Sequence, residues 1–248
     1  MQPKAPQSPV DARPASVPLD EIKKLALSRP TPRCGSEALR CGRVTVIAEI
    51  DPARADRALL AEQYASRGVA ALAVPAGDPA CVTDIGAFAD VPVLSLEPAT
   101  ASYQIWLARA QGADLVLVPA APLADVALVA LVERAESIAM TAVVEVRDGR
   151  DLVRALRAGA RVVLLRPPVG ASAAQARTAL QDLLSMCPEG VVRVAECGPA
   201  GQADLISFAR LGADAVLLGT ALLDGADPGA TAGRLASMGA HPALSRTR

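Results

Sequence analysis

The sequence is almost without lysine, histidine and aromatic residues. Its only lysines, Lys4, Lys23 and Lys24, lie in the N-terminal segment, and His241 near the other end is the single histidine. Every other strong base is arginine, which stays protonated at working pH and therefore orients an anion but rarely transfers a proton. Proton transfer in the body of the chain thus falls mainly to carboxylates, with cysteine and tyrosine in reserve.

The chain also lacks an excess of charge of either sign. The net charge is −1 and no basic stripe with interleaved aromatic residues occurs, which argues against a nucleic-acid or anionic-membrane surface. The cysteines are odd in number and form no CxxC pair, as expected for reduced thiols in a cytoplasmic protein: Cys34, Cys41, Cys81, Cys187 and Cys197. We expect a small-molecule substrate, no cofactor or bound metal, and a monomer or weak homodimer.

The composition allows one large apolar core. Of the 248 residues 52% are hydrophobic but only 2% are aromatic, so that core consists of Ala, Val and Leu. The Pro-, Ala- and Ser-rich segment 1–18 has no apolar run; it resembles neither a signal peptide nor a membrane span, and we predict that it is disordered. We predict a single domain over 19–240 and a C-terminal tail over 241–248.

Short apolar runs alternate with helical stretches along the rest of the chain. Each run has the length and near-continuous hydrophobicity of a parallel strand that is covered on both faces. The predicted strands are 44–50, 70–74, 91–96, 115–119, 141–146, 162–166, 191–196 and 215–219.

Glycine separates many of these units. Four predicted helices close with glycine just before the next strand: ASRG, ARAQG, ALRAG and FARLG. Eight βα units of similar length predict an α/β fold of the (β/α)₈ TIM-barrel class. A doubly wound open sheet is the rival, but no GxGxxG follows the first strand. LDEIKKLAL predicts a short N-terminal helix that covers the bottom of the barrel.

Three glutamates stand late in otherwise apolar strands. Glu49, Glu145 and Glu196 fall where barrel enzymes carry their active sites, at the carboxyl ends of strands. An unpaired buried carboxylate is costly, so three of them suggest a functional reason. The alternative is that each pairs with an arginine and only holds structure. Arg166 ends the sixth strand and is the natural inward partner, unless it faces outward.

Two glycine turns predict a phosphate site. CGPAG (197–201) follows the seventh strand and GTA (219–221) follows the eighth, where backbone N–H groups commonly bind phosphate in barrels. Cys197 at such a turn is either a nucleophile with a lowered pKa or a small residue that lines the turn.

Five segments occur in the order and spacing of the indole-3-glycerol phosphate synthase family: VIAEI, YQIWLARAQGADLVLV, VVEV, VAECG and LLGTALL…DPGA. The chain resembles this family over about residues 15–238, and phosphoribosylanthranilate isomerase and other phosphate-binding barrels more distantly. The family closes and decarboxylates a phosphorylated anthranilate-derived ribulose. The resemblance implies catalytic roles for Glu49, Glu145 and Glu196, and phosphate contacts from Cys197 (usually serine in the family), Gly198, Gly219 and Thr220.

The chain departs from the family pattern at three positions that the resemblance assigns to substrate binding. Asp51 replaces the lysine that follows the first glutamate, and the long loop there is deleted. Leu96 replaces the general-acid lysine before YQI, and Arg166 replaces an asparagine. The loop after the second strand is shortened to PAGDPACV.

Three functions remain open at this point. The first is a divergent lyase or cyclase whose glutamates perform acid–base cyclisation, dehydration or decarboxylation of a small metabolite in specialised biosynthesis. The second is a genuine indole-3-glycerol phosphate synthase of tryptophan biosynthesis. The third is a non-catalytic relative that binds a ligand or a partner. In a variant of the first function, the acidic residues at the carboxyl end of the barrel, called the mouth below, bind Mg²⁺.

Overall fold

Eight parallel strands close into a barrel with helices outside. The computed structural model describes residues 17–77 and 80–244. Each strand pairs with its sequence neighbour and β8 pairs with β1, so the predicted (β/α)₈ barrel is confirmed. The strands lie within two residues of the predicted runs: β1 Thr45–Glu49, β2 Ala71–Val74, β3 Val93–Ser95, β4 Leu115–Pro119, β5 Thr141–Val146, β6 Val162–Leu165, β7 Val192–Cys197 and β8 Ala215–Leu218.

The helices follow the strands in regular alternation. Four of the loops before a strand contain a glycine with positive φ (Gly68, Gly112, Gly159 and Gly212), as the sequence predicted. The helices are α1 Leu19–Ser28, α2 Gly35–Leu39, α3 Arg57–Ser66, α4 Ala80–Phe88, α5 Ser102–Gln111, α6 Asp125–Ser137, α7 Gly149–Arg157, α8 Ala173–Met186, α9 Gln202–Arg210, α10 Thr220–Leu223 and α11 Pro228–Gly239.

Alternating strand residues divide the apolar side chains between two cores. One core lies between the strands and the helices. The other fills the barrel itself and is called the interior cluster below; it includes Ile47, Leu94, Leu96, Leu115, Leu117, Val143, Val162, Leu164, Val192, Val194 and Leu217. Because side chains alternate along a strand, the interior cluster fixes which residue of each strand faces the barrel axis.

The N-terminal helix lies elsewhere than the sequence suggested. Ile22 and Ala26 of α1 pack on Trp106 and Ala110 of α5, at the side of the barrel. The prediction that α1 covers the bottom is therefore wrong. The unpredicted helix α2 takes that place, because Leu39 belongs to the interior cluster.

The two predicted tails fall largely outside the described part of the chain. The disordered segment predicted over 1–18 is described only at residues 17 and 18, and the predicted C-terminal tail only as far as residue 244. Pro242–Leu244 form a 3₁₀ helix, and Leu244 packs against the outer core. The chain therefore keeps contact with the barrel beyond the predicted boundary at residue 240.

Candidate active site

The three late glutamates share the carboxyl end of the barrel. Glu49, Glu145 and Glu196 each stand two residues after a member of the interior cluster, namely Ile47, Val143 and Val194. A side chain two positions along a strand faces the same way. The strand periodicity therefore places all three carboxylates on the inner face at the mouth, as the sequence predicted.

Arg166 joins two of these glutamates. Its Nη1 donates a hydrogen bond to Glu145 Oε2 at 3.1 Å, and its Nε lies 3.4 Å from Glu196 Oε1. The second contact is an ion pair without hydrogen-bond alignment, since Arg166 Nε is buried and has no hydrogen-bond partner among the described residues. Arg166 therefore faces the mouth rather than outward, and its charge lies between the two carboxylates.

A second arginine at the mouth was missed in the sequence. Arg147 Nε donates to Glu145 Oε1 at 2.7 Å, while its Nη1 donates to the Pro167 carbonyl at 2.9 Å. Both oxygens of Glu145 thus accept from guanidinium groups, which fixes the orientation of this carboxylate. The signal was present: Arg147 is the next residue of the same strand face after Glu145 in VVEVR.

Glu49 differs from the other two glutamates. No hydrogen bond or ion pair to its carboxylate occurs within the described part of the chain. Burial raises the pKa of Glu49, and the neighbouring Glu196 and Asp51 raise it further, against the opposing effect of Arg166. The surroundings of Glu49 therefore favour its protonated form.

Leu96 and Asp51 stand at the two positions where the resemblance implies lysine, and neither has the chemistry of lysine. Leu96 is 7% exposed and belongs to the interior cluster, so it presents hydrocarbon to the mouth. Asp51 follows β1 and accepts a hydrogen bond from the Ala53 N–H at 2.8 Å, which closes the shortened loop. Neither residue supplies a cation.

Acidic groups border the predicted phosphate turns. A Cβ built on Gly198 would lie 2.9 Å from Asp204 Oδ2, and one on Gly219 would lie 3.7 Å from Glu49 Oε2. Arg177 compensates Asp204 through a 2.8 Å ion pair. Glu49 has no such partner among the described residues. Phosphate binding at Gly198, Gly219 and Thr220 stays a prediction.

Cys197 points away from the mouth. Its side chain belongs to the core between strands and helices, and its Sγ donates to the Gly201 carbonyl at 3.3 Å. Burial, with a smaller contribution from Asp204, raises the pKa of the thiol to about 12. A protonated thiol is a poor nucleophile. The side chain thus matches the small structural residue rather than the reactive cysteine.

Among residues 17–77 and 80–244, no group of three or more His, Cys, Asp or Glu side chains is arranged to hold a metal ion. The helices of residues 17–77 and 80–244 also include none that is long and apolar enough to cross a membrane.

The closed barrel and the charged groups at its mouth define a (β/α)₈ protein of the class whose active sites lie at the carboxyl ends of the strands. Comparison with a solved structure agrees with this fold. A 3-hexulose-6-phosphate synthase from Salmonella typhimurium superposes with a TM-score of 0.63 at 17% identity, over 79% of this chain and 99% of that chain. At this identity the similarity shows the fold alone.

Sequence comparison then shows the family. The sequence profile of indole-3-glycerol phosphate synthase matches residues 6–235. An indole-3-glycerol phosphate synthase from Streptomyces griseus subsp. griseus is 39% identical over 95% of this chain and 93% of its own length. One from Parafrankia sp. is 40% identical over 91% and 90% respectively. The chain belongs to the indole-3-glycerol phosphate synthase family, as the resemblance of its motifs suggested.

Proposed function

We propose that the protein is a lyase of the indole-3-glycerol phosphate synthase type in which carboxylates perform the acid–base steps and arginines orient them. The observation that supports it most is the network at the mouth: Arg166 contacts both Glu145 and Glu196 at 3.1 and 3.4 Å. Cyclisation, dehydration and decarboxylation each need a proton donor, a proton acceptor and a group that holds an anion. This set of side chains supplies all three.

Glu49 is the proposed proton donor. Its half-buried carboxyl has a raised pKa and no ion-pair partner in the described part of the chain. A carboxyl whose raised pKa favours its protonated form can protonate a carbonyl or a departing hydroxyl group. In this arrangement Glu49 donates the proton to the protein's own substrate, from a different place in the barrel than position 96.

Glu145 and Glu196 are the proposed acceptors, and the arginines orient them. Glu145 is held by two guanidinium groups and its side chain is 11% exposed, whereas that of Glu196 is 30% exposed. Glu196 is therefore the more accessible base. The Arg166 side chain is 18% exposed, and its guanidinium is the proposed donor to an anionic group of the substrate.

A second candidate is the reaction that gives the relatives their name. This candidate is favoured by the 39% identity, over 95% of the chain, to a protein called indole-3-glycerol phosphate synthase. The names of the relatives fit this reaction better than they fit a changed one. In that case the substrate is the phosphorylated anthranilate-derived ribulose, and the same glutamates act without the two lysines.

One assay separates the two candidates. The purified chain is incubated with the phosphorylated anthranilate-derived ribulose, and indole formation is followed by absorbance. The first candidate expects little or no product because Leu96 cannot donate a proton, whereas turnover at a rate ordinary for enzymes, about 1–10³ s⁻¹, supports the second. Glu196→Gln is run beside the wild type, with the exposed Glu133→Gln as the matched control. If the wild type forms product and Glu196→Gln forms it equally fast, the carboxylate mechanism is wrong in either case.

A further inference from the structure

A cavity of about 470 Å³ lies on the flank of the barrel, between α9, α11 and the 3₁₀ helix. It is lined by residues in the later turns of α9 and α11 and by the segment that follows α11. Because the helices of a barrel start at the carboxyl ends of the strands, their later turns lie towards the opposite end. The cavity is therefore separate from the mouth, and it shares no lining residue with the proposed catalytic set.

The apolar part of the lining is aliphatic. Ile206, Met238 and Leu244 line the cavity, and the last two also pack against the core between strands and helices. All three side chains are half-buried, so each leaves part of its hydrocarbon to a molecule in the cavity. Removal of that hydrocarbon from water favours the binding of an apolar chain.

The charged groups that line the cavity are basic. They are the guanidinium groups of Arg210 and Arg234, and neither forms an ion pair with a residue that the structure describes. Asp204 is the only acidic residue of α9, where it is buried and pairs with Arg177, and α11 contains no acidic residue. An anion in this cavity therefore meets two cations and no lining carboxylate.

His241 and Ser237 add neutral donors to the lining. The Nδ1 atom of His241 accepts the backbone N–H of Ala243 at 3.2 Å, which leaves the proton of the neutral ring on Nε2. The Nε2–H group and the Ser237 hydroxyl can both donate to an anion. The polar part of the lining is thus rich in donors, as a carboxylate requires.

The extent of the lining favours a small molecule over a protein. Seven residues line the cavity, whereas a stable protein interface takes about 20–30 residues a side. Its volume also falls in the range of about 300–1,000 Å³ that is usual for small-ligand sites. The sequence that follows Leu244, SRTR, contains no acidic and no large apolar residue, so it lacks the chemistry that this lining would bind.

We propose that this cavity binds a small aliphatic carboxylate, such as an acidic effector. The carboxylate contacts Arg210 and Arg234, because a guanidinium group can donate to both carboxylate oxygens at once. The hydrocarbon tail packs on the aliphatic residues of the lining. The proposal does not depend on the proposed function, since the cavity and the mouth have no residue in common.

Met238 allows binding to be observed at the cavity itself. The chain has four methionines, so isotope labelling of their methyl groups in the purified full-length protein gives few NMR signals, and Met238→Leu identifies the one at the cavity. Hexanoate, acetate, 1-hexanol and hexylamine are each titrated near neutral pH. We expect hexanoate to move the Met238 signal with a Kd on the order of 1 mM. It should bind at least about tenfold more tightly than acetate, which lacks the tail, and more tightly than the other two probes, which lack the negative charge.

Two variants test the role of the arginines. Arg210→Gln and Arg234→Gln should each weaken hexanoate binding about 2–5-fold, the effect of an exposed ion pair. Arg134→Gln on α6 removes the same charge elsewhere and should change nothing. All three arginines are exposed, so the variants should fold like the wild type. High salt should weaken the binding of hexanoate but not that of 1-hexanol.

Three results would overturn the proposal. A Met238 signal that stays in place at about 10 mM hexanoate would show that no such site exists here. Binding of hexylamine or 1-hexanol as tight as that of hexanoate would show that the cavity does not select an anion. Hexanoate binding that ignores both arginine variants would place the carboxylate elsewhere. Glu145→Gln should abolish turnover and leave these titrations unchanged, so failure of the proposed function would not imply failure of this site.

Discussion

The two ends of the barrel use carboxylates in opposite ways. At the N-terminal end, Asp114 and Asp214 stand just before β4 and β8 in matching GAD segments. Asp114 accepts the backbone N–H of Val93 at 3.0 Å, and Asp214 accepts that of Arg193 at 2.9 Å. Each buried aspartate thus fastens the start of its own strand to the strand before it. Both aspartates also pair with an arginine, Asp114 with Arg33 and Asp214 with Arg193.

At the carboxyl end the partners are side chains alone. Glu145 and Glu196 contact arginines, and Glu49 has no hydrogen-bond or ion-pair partner among the described residues. A carboxylate that accepts backbone N–H groups cannot move without breaking a contact between strands. A carboxylate held only by side chains can be released to bind a substrate, and the strands stay paired. The comparison indicates that the aspartates at the N-terminal end stabilise the barrel, whereas the glutamates at the mouth are available for chemistry.

The largest expected effect is on catalysis. Glu145→Gln and Glu196→Gln keep the shape of the side chain but remove its titration, and general acid–base assistance is worth about 10²–10⁴ in rate. Each change should lower kcat/KM on the substrate that the wild type turns over by at least about a hundredfold. Glu133→Gln on the surface of α6 should leave the rate unchanged. If the mouth variants keep the full rate, the acids there are not the catalytic groups.

The next largest effect is a loss of stability when an aspartate at the N-terminal end of the barrel is changed. Asp214→Asn removes the charge that compensates Arg193, whose side chain is only 4% exposed. Breaking a buried ion pair from one side costs about 3–5 kcal/mol. Urea unfolding should report a loss of this size in the free energy of unfolding, with the exposed control Asp182→Asn on α8 close to wild type. A loss below about 1 kcal/mol would remove the distinction between the two ends.

Leu96 allows a gain-of-function test at the mouth. Leu96→Lys places an amine beside the carboxylates, where the resemblance implies the general acid. We expect it to raise the rate on the phosphorylated anthranilate-derived ribulose at least about tenfold, a change of about 1.4 kcal/mol in the barrier. Leu96→Met has a similar volume without the amine and should not do so. Equal rates for both variants would mean that the missing lysine is not what limits this reaction.

The smallest effect concerns Glu49 and pH. Because its pKa in the folded protein is raised above the ordinary 4.5, its favourable contribution is complete below that pH and is lost as pH rises through the folded value. Glu49→Gln should therefore match the wild type near pH 4 and be the more stable protein at pH 7–8. Thermal unfolding across this range measures the difference. A difference of the opposite sign would mean that a partner stabilises the ionised form of Glu49.

Local periodicity was enough to predict the barrel and the direction of its acids. The apolar runs gave the eight strands, and alternation along VIAEI and VVEV placed Glu49 and Glu145 inward. The same alternation would have revealed Arg147. It could not show that Arg166 contacts both Glu145 and Glu196, because that depends on how neighbouring strands are staggered in the closed barrel.

Contacts between distant segments explain the remaining misses. The amphipathic pattern of α1 shows that one face is buried but not that α5 covers it. Helix α2 has five residues, too few for a periodic signal. These features depend on tertiary packing, which overrides local pattern.

The contrast between the two ends can be tested most directly by one set of urea titrations on purified protein, without a known substrate. Glu145→Gln, Glu196→Gln and Asp214→Asn are unfolded side by side with the wild type. The account predicts that both mouth variants stay within about 1 kcal/mol of the wild type, because the guanidinium groups that lose a partner, Arg147 and Arg166, are 31% and 18% exposed. Asp214→Asn should lose about 3–5 kcal/mol, because Arg193 is only 4% exposed. If Glu145→Gln and Glu196→Gln lose as much as Asp214→Asn, the mouth carboxylates are structural and the proposed chemistry has no basis.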